Sequence, residues 1–293
     1  MPGSGHLLSG QTVYVKLRRT QTGDAAVHQI EDLMIRDARG NPTGGIKMAN
    51  GTNPMRDPPF AGTRGKAAAM VRERFIQAQE YKAKIERAAG DPEKMPARDL
   101  GLEALVEVLN GTRIVHHHTH RADDIMTVLR LQREFGFRVV LHHVSEAWKV
   151  AGEIAGAAPE APGKPGVIGC SAILVDSPGG KLEAVGLSYE TTAALEKAGA
   201  QYSLHTDDWI TDSRLFLRMA ALSVRGGASR EGALRSLTLS GAEQMDLQDR
   251  VGTLDAGKDA DFVILSGDPF SVYTKVEQTW VEGVKVFDRA DPK

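Results

Sequence analysis

Apolar and polar positions change their period repeatedly through the middle of the chain. Short runs rich in β-branched residues are each followed by a segment whose apolar positions recur at helical spacing. Successive runs lie about 25 to 35 residues apart, which is typical of βαβ units and predicts a parallel sheet, closed as a (β/α)8 barrel or open and doubly wound. The clearest pairs are RIVHHH with ADDIMTVLRLQREFG, FRVVLHH with SEAWKVAGEIAGA, and SAILVDS with YETTAALEKAGA.

Capping residues mark the predicted helix boundaries. Gly136 is the expected stop of the first of these helices, and Ser145 is a candidate N-cap of the second. Another helix is predicted in the run AAAMVRERFIQAQEYKAKIERAA. We therefore expect each helix of the central region to begin shortly after a strand ends.

Polar side chains at the ends of the predicted strands favour the barrel over the open sheet. His118, His143, Asp176 and Asp207 each stand at the carboxyl end of a predicted strand. Barrel enzymes assemble their active sites from residues at that end of the strands. Asp176 is the weakest of the four, because an aspartate before Pro-Gly-Gly is explained equally well as a turn former.

Six strand candidates can be counted where a closed barrel needs eight. The segment 252–288 differs from the rest, because it has alternating strand-like runs and glycine turns with no helix between them, and it predicts a small antiparallel unit. The six candidates are 12–17, 44–49, 113–118, 138–143, 171–176 and 201–207.

Composition excludes several classes of protein. The 36 basic and 38 acidic side chains nearly balance, with no basic stripe, which argues against nucleic acid and against an anionic membrane as partners. No apolar run approaches the length that spans a bilayer, and no secretory signal opens the chain, so we expect a cytoplasmic protein if the start is genuine. Cys170 is the only cysteine, which excludes a thiolate zinc cage.

Histidines and carboxylates on separate strand ends suit a hydrolytic Zn²⁺, Mn²⁺ or Fe²⁺ site that keeps one position open for water. Alternate residues of a strand share a face, so His116, His118 and His120 point one way and His117 the other. We expect His118 to be a ligand and His120 to line the pocket, with His116 or His117 packing behind them. The alternative is a set of structural histidines.

Taken together, RIVHHHTHRADDI, VVLHHVSEAWKVA, YSLHTDD and DRVGTLDAGKDADFVIL resemble the amidohydrolase superfamily, in particular its imidazolonepropionase-like branch of metal-dependent hydrolases. The resemblance covers about residues 1–288. It implies an α/β fold in which residues 1–245 form a partial TIM barrel, with about six of eight strands, and residues 246–293 form the last strands of a small β-sandwich. It also implies one or two divalent metals per intact site, Zn²⁺ first.

The resemblance assigns roles to particular residues. It implies that His118 and His143 are metal ligands, and that Asp207 is both a metal ligand and the general base, with His205 and Asp208 beside it. Lys47, in Gly-Gly-Ile-Lys-Met, is similar to a lysine that becomes carboxylated and bridges two metals in related proteins. A structural lysine is the alternative at that position.

The chain departs from the family pattern at its beginning. It has no first-strand His-x-His and no preceding sandwich strands. We expect a truncated metal-dependent amidohydrolase that acts on a C–N bond of a small amide or cyclic amide through metal-activated water, as an active enzyme or an inactive fragment. The alternatives are a catalytically dead barrel remnant that serves in binding or assembly, and a mononuclear deaminase or isomerase. An incomplete barrel has unpaired sheet edges that can pair with a second copy of the chain, so a homo-oligomer is an alternative to a monomer.

Overall fold

A computed structural model describes residues 4–18, 30–56, 60–174 and 181–291. Strands and helices alternate along most of this length, as the sequence pattern predicts. The strands are β1 (Leu8–Gln11), β2 (Ile46–Ala49), β3 (Val115–Thr119), β4 (Arg138–His143), β5 (Gly166–Ala172), β6 (Tyr202–Leu204), β7 (Phe262–Leu265), β8 (Val276–Val281) and β9 (Val284–Asp288).

The α-helices lie between the strands of the first sheet and after it. Short 3₁₀ turns occupy Ala147–Lys149, Leu182–Ala184, Asp208–Ile210 and Ser213–Leu215. The helices are α1 (Ile30–Leu33), α2 (Arg64–Ala88), α3 (Leu100–Leu109), α4 (Ala122–Phe135), α5 (Ala151–Ala155), α6 (Thr191–Ala198), α7 (Phe216–Arg225), α8 (Arg230–Ser236) and α9 (Leu239–Glu243).

The first sheet has six strands in the order β1-β2-β3-β4-β5-β6 within the described residues, and β2 to β6 are parallel. The α/β class and the number of strands are therefore confirmed. The first strand differs from the prediction, because β1 is Leu8–Gln11 rather than 12–17 and runs antiparallel to β2. Thr12 continues this pairing, with its amide donating to the carbonyl of Gly45 at 2.9 Å and its hydroxyl accepting from the Gly45 amide at 2.8 Å.

Two long helices begin and end where the sequence indicates. The Thr63 side chain accepts a hydrogen bond from the Lys66 amide at the start of α2, and Gly136 ends α4 with φ 68°, a left-handed conformation that costs glycine little. Both helices pack on the sheet through an aromatic stack in which the ring of Phe75 lies 4.9 Å from Phe135 and 5.2 Å from Phe137. This packing fixes the end of α4 and the start of β4 against α2.

Two central elements depart from the prediction. β5 covers Gly166–Ala172 rather than 171–176, because the glycine-rich end of the preceding loop enters the ladder beside β4. The segment that follows β4 does not form one helix capped by Ser145. It forms a 3₁₀ turn and then α5, and the Ser145 hydroxyl has another partner, described below.

The second sheet, with the order β7-β8-β9, is antiparallel throughout, as predicted for the C-terminal segment. Lys16 ties the N-terminal part of the chain to this sheet, since its ammonium lies 2.5 Å from Asp259, 2.9 Å from Asp261 and 3.4 Å from Glu282. The domain boundary at 245–246 stays a prediction. Within the described ranges, no helix is both long enough and apolar enough to cross a lipid bilayer.

Candidate metal centre

Three histidines meet at the carboxyl ends of β3 and β4. One side-chain nitrogen from each of His118, His120 and His143 lies within 4.8 Å of the corresponding nitrogens of the other two. All three side chains are buried. We call these three residues the imidazole cluster.

His143 reaches the cluster because the backbone turns where β4 ends. Its register partner is Thr119, and His142 is paired with His118, so regular alternation would place His142 rather than His143 beside His118. A φ of 71° at His143 interrupts that alternation. Its ring centroid consequently lies 4.4 Å from that of His118 and 4.9 Å from that of His120.

The contacts of His120 fix its tautomer. The Lys181 ammonium lies 3.2 Å from Nε2 and can only donate, so Nε2 is the acceptor. The proton of the neutral ring then stays on Nδ1, which donates to the Ser145 hydroxyl at 2.7 Å. This tautomer leaves the Nε2 lone pair facing the cluster, as a metal ligand requires.

Burial keeps the cluster uncharged. It lowers the pKa of His118 to about 4 and the pKa of His120 to about 2, and it also holds the pKa of His143 well below the ordinary value. Removing an imidazolium from water is costly, and the neighbouring positive groups add to the shift. The rings are therefore neutral at pH 7 and their nitrogen lone pairs are available to a cation.

Glu183 adds a carboxylate that the sequence analysis missed. Its Oε1 lies 3.4 Å from Nε2 of His118 and 4.0 Å from Nε2 of His120, and its side chain is fully buried. Burial alone would raise the pKa of Glu183, but hydrogen bonds from His118, the Thr52 amide and Lys181 outweigh it and hold that pKa far below its usual range. The cluster is therefore a nitrogen and carboxylate donor set.

The loop after β2 holds the second oxygen of Glu183. The Thr52 amide donates to Oε2 at 2.6 Å. Gly51 has φ 77°, and a Cβ there would collide with the same carboxylate, so only glycine leaves room for it. With Oε2 anchored by the backbone, Oε1 is the oxygen presented to the imidazoles.

His205, which the family resemblance puts beside Asp207, packs behind His143. Its Nε2 is 3.1 Å from Nδ1 of His143, and its Nδ1 is 3.1 Å from the Ser171 hydroxyl. Burial lowers the pKa of His205 to about 3. The arrangement resembles the hydrogen bond that usually orients a metal-binding histidine through its other ring nitrogen.

Lys47 and Asp207 lie close enough for their charges to interact but differ in exposure. Lys47 is 4% exposed, and burial lowers its pKa to about 8 despite the attraction of Asp207. Asp207 and Asp208 are exposed and adopt left-handed φ values of 51° and 50° after β6. Among the described residues, neither aspartate joins the imidazole cluster. Their predicted roles stay predictions.

The remaining histidines of β3 and β4 form a deeper group. Nδ1 of His116 lies 2.9 Å from Nε2 of His142, and the Tyr14 hydroxyl lies 2.6 Å from Nε2 of His116. His117 faces the other way, and its Nδ1 donates to the His118 carbonyl at 2.9 Å. Asp176, the fourth strand-end candidate, lies outside the described residues.

The donor set suits a divalent metal. Oε1 of Glu183 lies 3.4 Å from Nε2 of His118 and 4.0 Å from Nε2 of His120, so these three donor atoms are close enough to share one cation. Neutral imidazoles and a carboxylate are the ligands that Zn²⁺, Mn²⁺ and Fe²⁺ take in proteins without thiolates. His118, His120, His143 and Glu183 therefore fit the group that the resemblance implies.

A cavity of about 560 Å³ lies at the other end of β6 and is separate from this chemistry. It is bounded by Glu196, Tyr202 and Glu243, among others. Arg235 lies 2.7 Å from the Glu243 carboxylate, so it neutralises part of the acidic charge that lines the cavity. The histidines lie instead at the carboxyl ends of the strands, where barrel enzymes bind substrate.

Comparisons with known proteins agree with this fold. The sequence profile of the amidohydrolase family matches residues 40–287. The curated protein "Amidohydrolase tasK" of Hapsidospora irregularis is 28% identical over 209 residues, which are 69% of this chain and 20% of that protein. The chain therefore spans about a fifth of the length of this relative.

A solved structure resembles nearly the whole chain. The amidohydrolase of Thermotoga maritima MSB8 is 32% identical, with a TM-score of 0.84, over 98% of this chain and 70% of that one. This likeness confirms the barrel-type α/β fold expected from the sequence. With the family match over residues 40–287, it shows that the chain belongs to the amidohydrolase family.

Proposed function

We propose that this chain binds a divalent metal at the imidazole cluster and hydrolyses a C–N bond in a small amide or cyclic amide. Zn²⁺ is the first candidate, with Mn²⁺ or Fe²⁺ as alternatives. The observation that carries the proposal is the meeting of three buried, neutral imidazoles at the carboxyl ends of parallel strands. The imidazolonepropionase-like assignment and the small-molecule substrate belong to the same proposal.

Each residue has a defined part in this proposal. His118 and His143 hold the metal, and the Ser145 contact keeps the lone pair of His120 directed at the same place. A divalent metal at this position supplies Lewis acidity, which lowers the pKa of water and polarises a substrate carbonyl. Asp207, on the strand end after His205, takes the proton from the attacking water and returns it to the leaving nitrogen.

Lys47 bears on the number of metals. Its burial and its lowered pKa support the carboxylation that the family resemblance implies, because a neutral amine is the form that reacts with carbon dioxide. A second candidate function, mononuclear deamination or isomerisation, is favoured by the single cluster of ligand atoms found among the described residues. Metal stoichiometry measured together with the reaction product separates the two.

The experiment is a hydrolysis assay across simple amides, cyclic amides and aminopurines, with protein loaded with Zn²⁺, Mn²⁺ or Fe²⁺. We expect turnover of an amide or cyclic amide that a chelator removes and metal restores, and that Asp207→Asn lowers by about 10² or more as a lost general base. Release of ammonia from an aminopurine alone favours the deaminase. Turnover that persists in chelator contradicts metal dependence.

A further inference from the structure

Lys181 places a positive charge inside the site. Its ammonium lies 2.9 Å from Oε1 of Glu183 and 3.2 Å from Nε2 of His120, and its side chain is 33% exposed. Oε1 of Glu183 also lies 3.4 Å from Nε2 of His118. The ammonium is thus held by the inward-facing donor atoms of Glu183 and His120.

The spacing of these donors matches a metal site. Ligands about 2.1 Å from a tetrahedral metal lie roughly 3.4 Å from one another, or somewhat farther when the geometry is distorted. The distances from Glu183 Oε1 to the Nε2 atoms of His118 and His120 are 3.4 Å and 4.0 Å. The same three atoms therefore have a separation suited to a shared cation.

The electrostatics require a cation in the metal-free protein. The Glu183 side chain is fully buried, and a buried carboxylate without a positive partner is strongly destabilising. Lys181 supplies that charge from a flexible four-carbon stem, whose partly exposed position gives it a path to solvent when another cation arrives.

We propose that Lys181 is a tethered cation that competes with the metal for Glu183 and His120, so that it stabilises the metal-free protein and weakens metal binding. Glu183 is then a metal ligand once Lys181 withdraws. The proposal rests on the metal binding described under the proposed function. It differs from an ordinary ion pair in one respect, because an ordinary pair stabilises the metal-free and metal-loaded forms equally.

The test compares wild-type protein with Lys181→Met and Lys181→Gln, using zinc affinity from competition with a chromophoric chelator and Tm with and without Zn²⁺. We expect either substitution to raise zinc affinity about tenfold or more, because the unpaired carboxylate penalises only the metal-free form. The Tm of the metal-free protein falls, and that of the zinc-loaded protein falls less. Lys181→Arg keeps the charge and stays near the wild-type affinity.

Lys149→Met is the matched control. Lys149 pairs with Glu146 at 2.7 Å with comparable exposure, 40%, and lies outside the cluster. Its loss lowers both Tm values alike and leaves zinc affinity unchanged. Equal zinc affinity in wild type and both neutral Lys181 variants overturns the inference while leaving the proposed metal site intact. Absence of zinc binding in wild type and every variant overturns the proposed function itself.

Discussion

The hydroxyl of Ser145 lies 2.7 Å from Nδ1 of His120 and holds that imidazole in one orientation. Ser145 is buried just after β4, and His120 follows β3, so the contact joins two neighbouring strand ends. Without a partner at Nδ1, the ring can rotate away from the orientation that directs Nε2 at Glu183. A single hydroxyl thereby orients one donor atom of the cluster.

Ser145→Ala therefore weakens metal binding more than it weakens the fold. We expect a stability loss of about 1 kcal/mol from one buried hydrogen bond, and metal affinity lower by about 10-fold or more through misorientation of His120. Chemical denaturation and chelator competition measure the two effects. Ser236→Ala is the control, since its buried hydroxyl donates to the Ala233 carbonyl of its own helix, and it should cost similar stability without changing affinity.

Gly51→Ala tests the backbone support of Glu183. A left-handed φ costs alanine about 1–2 kcal/mol, and the collision with the Glu183 carboxylate adds about 1–3 kcal/mol of overpacking. Gly136→Ala carries only the cost of the left-handed backbone, because its φ is 68° and no atom of the described residues lies within 4 Å of its Cβ position. We expect only Gly51→Ala to reduce metal affinity. Equal effects of the two substitutions in denaturation and in metal titration contradict this account of Glu183.

The metal-free protein should lose stability as the pH falls below about 6.5, which is well above the pH at which carboxylates titrate. The folded state lowers the pKa of His117 to about 3 and of His118 to about 4, from an ordinary value of 6.5. Burial of these histidines in their neutral form makes its full contribution to the free energy of unfolding above pH 6.5. That contribution is lost as the pH falls towards the folded-state pKa values, at up to about 1.4 kcal/mol per pH unit for each histidine. Denaturation at pH 7 and 5.5 measures it.

The variant His117→Asn tests whether buried histidines cause this pH dependence of the free energy of unfolding. Removing one buried histidine reduces proton uptake on unfolding by about one below the ordinary histidine pKa. Its free energy of unfolding should therefore depend less steeply on pH than that of wild type. A free energy of unfolding that stays constant from pH 7 to 5.5 in the wild-type protein is incompatible with neutral buried histidines.

Bicarbonate should increase the metal content through Lys47. With its pKa lowered to about 8, roughly half of the Lys47 amine is neutral at pH 8 and can add to carbon dioxide, forming a carbamate and releasing a proton. We expect elemental analysis to show more metal per chain after reconstitution with bicarbonate than without it. Lys47→Arg, which keeps a positive charge, should show no such increase, whereas a bicarbonate response in that variant excludes Lys47 as its source.

The sequence pattern predicted the elements whose formation depends on neighbouring residues along the chain. The strand and helix around 113–136 and the antiparallel C-terminal sheet follow from side-chain spacing, capping residues and turns, and all three are present. The histidines at the ends of β3 and β4 were found for the same reason, because strand alternation and strand ends can be recognised along the chain. The start of β5 was missed, since it lies in a segment that reads as a loop.

Contacts between residues far apart in the chain could not be predicted from the sequence pattern. Glu183 contacts His118 across 65 positions, and it lies in a short 3₁₀ turn with no periodic pattern around it. The one available signal was its place in the loop after β5, where barrel enzymes carry functional side chains. His143 was found, but the left-handed turn that directs its ring inward was not, because a φ of 71° on a histidine is set by tertiary contacts.

Metal content per chain, measured by elemental analysis on monodisperse protein, shows whether the imidazole cluster binds a metal. The variants are His118→Ala and His143→Ala, with His117→Ala as the control on the same strand but facing away from the cluster. We expect near-stoichiometric Zn, Mn or Fe in wild type and in His117→Ala, and its loss in the other two. Metal that survives both cluster substitutions, or a wild-type protein that binds none, contradicts metal binding at the imidazole cluster.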